Sequence, residues 1–161
     1  MKCLYLLLLP FLFFSSCINK IPDQSAVIID ISDPVSQQIF NYKNDRNSKE
    51  IIPFLRVANP NRRLAAVKAF ASLQDTNYID ELAQSLQDPI EHIRCNAAYS
   101  LGQMKHPKVV PYLLSAFTSD SSTRVKSDVL EAIGKTGSMK ELIDLCSSDN
   151  YPKKDTMLRL G

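Results

Sequence analysis

Four cysteines, two histidines and one Gly-Lys-Thr string are where chemistry would be sought in this 161-residue chain. Gly134-Lys135-Thr136 mimics the tail of a phosphate-binding loop. That loop follows a strand and needs a second glycine five residues earlier, so that backbone amides can face a phosphate, and Val129 stands there instead. The string reads as a helix C-terminus with Lys135 near its negative end. His92 falls in the first turn of an expected helix and His106 in an expected loop, and neither has cysteine, histidine or carboxylate partners at metal-ligand spacing. Asp80, Glu81, Glu141 and Asp144 fall on the outer stripe of expected helices, as solvated faces do. The sequence thus leads us to expect no catalytic residue, no metal ligand set, no cofactor and no small-molecule substrate.

Cys17 is the exception. Met1 and Lys2 precede an apolar run from Cys3 to Phe14, broken only by Pro10, and the run ends in Ser15, Ser16 and Cys17, the layout of a secretory signal peptide. The run is too short for a membrane-crossing helix, which needs about 20 residues. Phe14-Ser15-Ser16-Cys17 resembles the lipobox of bacterial lipoproteins, apart from Phe14 where Leu or Val is usual. The resemblance implies removal of residues 1–16 as a signal peptide and acylation of the Cys17 sulfur, which tethers the protein to a membrane without a transmembrane helix. Ile18, in place of the Asp that retains such proteins at the inner membrane, implies the outer membrane in a cell that has one. Residues 17–33 read as the lipidated cysteine and a polar linker. Cys95 and Cys146 are left either to pair in an oxidising compartment or to serve as small buried hydrophobes.

The remaining elements follow from an internal repeat. Asn59-Pro60, Asp88-Pro89, Asp120-Ser121 and Asp149-Asn150 recur at roughly 30-residue intervals, a period that signals stacked helical pairs. The first three open apolar-periodic segments and are expected to cap helices, since a side-chain oxygen there accepts an orphan amide. Ala65, Ala69, Phe70 and Leu73, then Ile93, Ala97, Ala98 and Leu101, then Val125, Val129, Leu130 and Ile133 each form one helical face. Gly102 and Gly134 are expected to end their helices in a left-handed conformation, whereas Gln74-Asp75 must close the first turn differently. A second, antiparallel helix returns in each period. Ile51-Ile52-Pro53-Phe54-Leu55 echoes Val109-Val110-Pro111-Tyr112-Leu113, which makes 34–58 a degenerate capping pair whose first helix starts at Asp33-Pro34 and buries Val35, Ile39 and Phe40. Three repeats then fill 59–149. Residues 150–161, with Met157, Leu158 and Leu160, match the first helix of a partial repeat or a C-terminal cap, and a continuation beyond Gly161 is the favoured expectation because solenoids usually end in a complete capping element.

Ile93-Arg94-Cys95-Asn96-Ala97-Ala98-Tyr99-Ser100-Leu101-Gly102 resembles the core of HEAT repeats of the short, bilin-lyase-like type, with weaker copies at 125–134 and 62–73. The expected fold is therefore all-α, an α-solenoid of stacked antiparallel helix pairs in a HEAT-like superhelix, following the signal peptide and linker. Arg94 and Lys126 stand where that family has a basic residue tying one repeat to the next, with Asp88 and Asp120 as partners; alternatively Arg62, Arg63, Arg124 and Lys126 form a basic ridge. A formal net charge of +2 and the lack of interleaved aromatics argue against nucleic acid.

A solenoid offers a concave face, often built from its second helices, to other macromolecules. The residues expected there are Asp80, Gln84 and Gln87, then Lys108, Tyr112 and Ser115, then Lys140, Glu141 and Asp144. Tyr112 is either a binding aromatic or packed against Tyr78 or Phe54. The expected function is a lipid-anchored, non-catalytic scaffold that holds another envelope protein. The alternative is the positioning arm of an enzyme, because 44–75 resembles the front of bacterial lipoproteins in which HEAT repeats precede a cyclophilin-type prolyl isomerase domain. A cytosolic bilin lyase or DNA glycosylase of HEAT type conflicts with the leader.

Overall fold

The computed structural model describes residues 27–147. Residues 1–26, on which the expected signal peptide, Cys17 and most of the expected linker fall, and residues 148–161 lie outside the described residues. Regular structure within 27–147 is entirely helical. The first-position helices are α1 (Pro34–Asn44), α3 (Pro60–Leu73), α5 (Glu91–Gln103) and α7 (Thr123–Lys135). Between them return α2 (Ser48–Ile51), α4 (Ile79–Ala83), α6 (Val110–Ser119) and α8 (Met139–Ser147). The returning elements are eked out by 3-10 turns at Ile52–Arg56, Thr76–Tyr78, Gln84–Gln87 and Pro107–Val109. Helices α1, α3, α5 and α7 pack on one another in chain order as one layer, with the returning elements against them as a second.

The core lies between these layers. Phe70, Leu101 and Ile133 recur at one register and are fully buried, and Ile79, Leu82 and Leu113 meet them from the second layer. Ala66, Ala97, Ala98 and Ala132 bring the first-layer helices close, and a buried Ser100 hydroxyl donates to the Val67 carbonyl oxygen at 2.9 Å across the α3–α5 seam. Phe40 departs from expectation. Ile39 takes the inward position on α1, and one residue further round the helix Phe40 is left 55% exposed.

Two of the expected caps are shifted. Asp33 and Asn59 cap α1 and α3 directly, each followed by proline. Asp88 and Asp120 stand further back: Asp88 accepts from the Ile90 amide at 2.9 Å, Asp120 from the Ser122 amide at 2.8 Å, and Ser122 is the residue that caps α7. In these tight turns only part of each carboxylate is spent on the backbone, so a second oxygen remains for an arginine.

The glycines also act differently from expectation. Gly102 and Gly134 are helical residues inside α5 and α7. A Cβ on Gly102 would come within 2.8 Å of the Ala132 Cα, so this glycine sets how closely α5 approaches α7. The left-handed residues are Arg46, Gln74, Lys105 and Gly137, one or two positions past each first-layer helix. Gln74-Asp75, where the missing glycine suggested another closure, thus holds a left-handed residue, with Gln74 at φ 53°.

Candidate functional site

Two of the four basic side chains that suggested a ridge, Arg62 and Arg63, are committed to joining repeats. Arg63 places Nε 2.7 Å and Nη2 3.1 Å from the two Asp88 carboxylate oxygens, and its Nη1 donates to the Val57 and Ala58 carbonyls. One repeat on, Arg94 does the same to Asp120 at 2.6 and 3.2 Å, with Nη1 on the Asp88 and Pro89 carbonyls. These forks are largely buried, with side-chain exposures of 16% for Arg94 and 6% for Asp120. Burial pushes the Asp120 carboxyl up, but the Arg94 fork and the Ser122 amide outweigh it and hold the group below its ordinary value. Arg62 reaches back to Asp33 and holds that carboxyl far below the usual range. Lys126, at the next register, instead lies over the Phe117 ring.

The expected binding residues divide into three groups. Asp80 of α4 gathers Lys108 and Tyr112 across a repeat boundary: Lys108 Nζ donates at 2.8 Å and the Tyr112 hydroxyl at 2.7 Å, one to each carboxylate oxygen. Lys108 and then Tyr112 lower the Asp80 pKa, while hydrogen bonding to Asp80 raises both of theirs. Tyr112 is neither buried nor stacked on Tyr78, whose ring meets Phe70 edge-on at 6.3 Å. Gln84 and Gln87 are exposed and, with Leu55, Arg56, Glu81, Ser85 and Asp88, line an open cleft of about 480 Å³. Ser115 is exposed on α6; Lys140 and Asp144 are exposed on α8, where Glu141 is half-buried. No bond given by the structure joins this third group to the Asp80 cluster.

Arg56 was missed among the candidates. The echo between 51–55 and 109–113 could have found it, because continuing that register one residue sets Arg56 against Leu114, a charge where the repeat has an apolar residue.

Other chemistry is weakly provided for. Cys95 is a buried free thiol whose pKa is pushed up to about 12 by burial and by its hydrogen bond with Asp128, so it stays protonated and unreactive. His106 Nδ1 accepts from the Lys108 amide, a turn-forming contact. Among the described residues no group of three His, Cys, Asp or Glu side chains could hold a metal, and no helix is long and apolar enough to cross a membrane.

A family model described as HEAT repeats matches residues 48–134, more than half of the chain. Among curated proteins, deoxyhypusine hydroxylase of Aspergillus clavatus is 30% identical over 88 residues, which covers 52% of this chain and 26% of that protein. The chain therefore spans about a quarter of that relative's length.

Proposed function

The chain belongs to the HEAT-repeat family, and from that premise we propose that it is a scaffold without catalysis of its own, holding another envelope protein against its second layer while acylated Cys17 anchors it to a bacterial membrane. The observation that carries the binding face is the Gln84–Gln87 cleft. It places exposed amides and the Arg56 guanidinium beside Glu81, a set able to hydrogen-bond the backbone and carboxylates of a partner chain. Next to it the Asp80, Lys108 and Tyr112 cluster presents an ordered polar ridge, with an aromatic of the kind enriched at binding hot spots. The lipobox-like Phe14-Ser15-Ser16-Cys17 supports the anchor, and Ile18 favours the outer membrane.

Two measurements test the reading. Mass spectrometry of the protein recovered from its native membrane fraction should find a diacylated or triacylated Cys17 at the N-terminus; an unmodified Met1 would overturn export. A photo-crosslinking residue at Gln84 should form an adduct with an envelope protein that is lost on Arg56→Glu, while the same probe at Lys68, in the other layer, should give none. Equal adducts from both positions would remove the second layer as the binding face.

A further inference from the structure

The N-terminal end of the stack carries an apolar surface that the scaffold reading does not use. Ile31 is 80%, Ile28 63% and Phe40 55% exposed, with Ile29 beside them. Ile29, Ile39 and Phe40 share a groove between α1 and α3 with Lys43, Lys68 and the small Ala65, Ala69 and Ser72. Lys43 lies over the Phe40 ring at 4.1 Å, so ring and ammonium are presented together. Asp30, the nearest acid in sequence, has one carboxylate oxygen bound by both the amide and hydroxyl of Ser32. Further along the same layer, Tyr99 of α5 is exposed beneath Lys135 at 4.6 Å. Aromatic rings and lysines over apolar side chains match the bilayer interface, where rings sit at headgroup level and ammoniums reach lipid phosphates.

We propose that this end of the first layer docks on the surface of the membrane that holds the anchor, with Ile28, Ile29, Ile31 and Phe40 entering the headgroup region and Lys43 and Lys68 contacting anionic lipid. The choice of occupant rests on the anchoring reading. Only nine residues, 18–26, separate Cys17 from Val27, a span of at most about 36 Å when fully extended. A patch beginning at Ile28 is then the part of the fold held closest to the bilayer, and its effective concentration there is high enough for weak contacts to persist. Docking by this end turns α1 to the membrane and leaves the Gln84 cleft and the Asp80 cluster, in the second layer, available to a partner.

The chain has no tryptophan, so Phe40→Trp at an exposed position gives a single reporter. The full chain, produced with its leader, is recovered in detergent, checked for acylation by mass spectrometry and reconstituted into vesicles of phosphatidylglycerol and phosphatidylethanolamine containing brominated acyl chains. The expected result is a blue shift and loss of indole emission, reversed in part by Lys43→Gln with Lys68→Gln at about fivefold weaker docking per lysine. Tyr112→Trp, in the other layer, should show neither change. An acylated preparation in which Phe40→Trp emission matches that in detergent, or in which both reporters are quenched alike, overturns docking while the anchor stands. Emission that instead shifts with protein concentration and not with lipid assigns the patch to a second copy and also overturns it. A preparation lacking acylation removes the anchor itself, and with it the argument for the lipid.

Discussion

Arg94–Asp120 and Lys108–Asp80 are both cation–carboxylate contacts between neighbouring repeats, at nearly the same distance, 2.6 and 2.8 Å. They differ in everything else. The Arg94 fork is bidentate, largely buried, and fills its remaining donor with backbone carbonyls of the preceding turn. The Lys108 ammonium and the Asp80 carboxylate are about half exposed, at 48% and 52%. Removing one member of a buried pair strands the other without water, whereas an exposed pair returns both members to solvent. The first layer thus uses charge to fix how the repeats stack, and the second uses it to arrange a surface.

The sharpest way to break that contrast is Arg94→Ala. It should lower stability by about 3 kcal/mol in urea unfolding, because Asp120 is left buried with no guanidinium. Asp80→Asn should leave the urea midpoint unchanged, and a comparable loss in both variants would mean that burial does not separate the two contacts.

Spacing is the next test. Gly102→Ala should cost about 2 kcal/mol, because overpacking against Ala132 outweighs the roughly 1 kcal/mol that alanine gains over glycine in a helix. Ala132→Gly should restore part of the loss in the double variant. The same change should leave crosslinking from the Gln84 probe intact, since the cleft is built from the 3-10 turn at Ile52–Arg56, α4 and the turn that follows.

The smallest effects are those of pH and salt. The folded pKa of Asp120 lies below its ordinary value of 3.8, so its contribution is complete above that value and is lost as pH falls below it toward the folded pKa. Asp120→Asn should therefore flatten the acid limb of a stability–pH curve measured below about pH 4. Raising sodium chloride from low ionic strength to 1 M should weaken the exposed Lys108–Asp80 contact, read from the Asp80 carboxyl pKa by NMR moving back toward its ordinary value, with little movement at Asp120.

Much of the fold was legible because its signals are local. Proline after Asp33 and Asn59, helical apolar spacing and the 30-residue recurrence each act over a few residues, and they locate helices without knowledge of what packs on what. Less of the candidate site was legible. Exposure of Asp80, Gln84, Gln87, Lys108, Tyr112 and Ser115 follows from the helical stripe. That Asp80 binds two of the others, and that Arg56 joins the cleft, depends on contacts between residues about thirty positions apart.

The sequence by itself therefore determined an all-helical repeat, the starts of α1 and α3, the small residues along the first-layer seams and the basic and acidic side chains available to join repeats. Only the tertiary structure decided how these were used. It set Asp88 and Asp120 back from their helix starts to meet Arg63 and Arg94, made Gly102 a contact point with Ala132, put the left-handed turns on Gln74 and Lys105, and turned Phe40 outward. The physical reason is that caps and periodicity are settled within one helix, whereas close approach, carboxylate sharing and burial are settled by the neighbouring repeat.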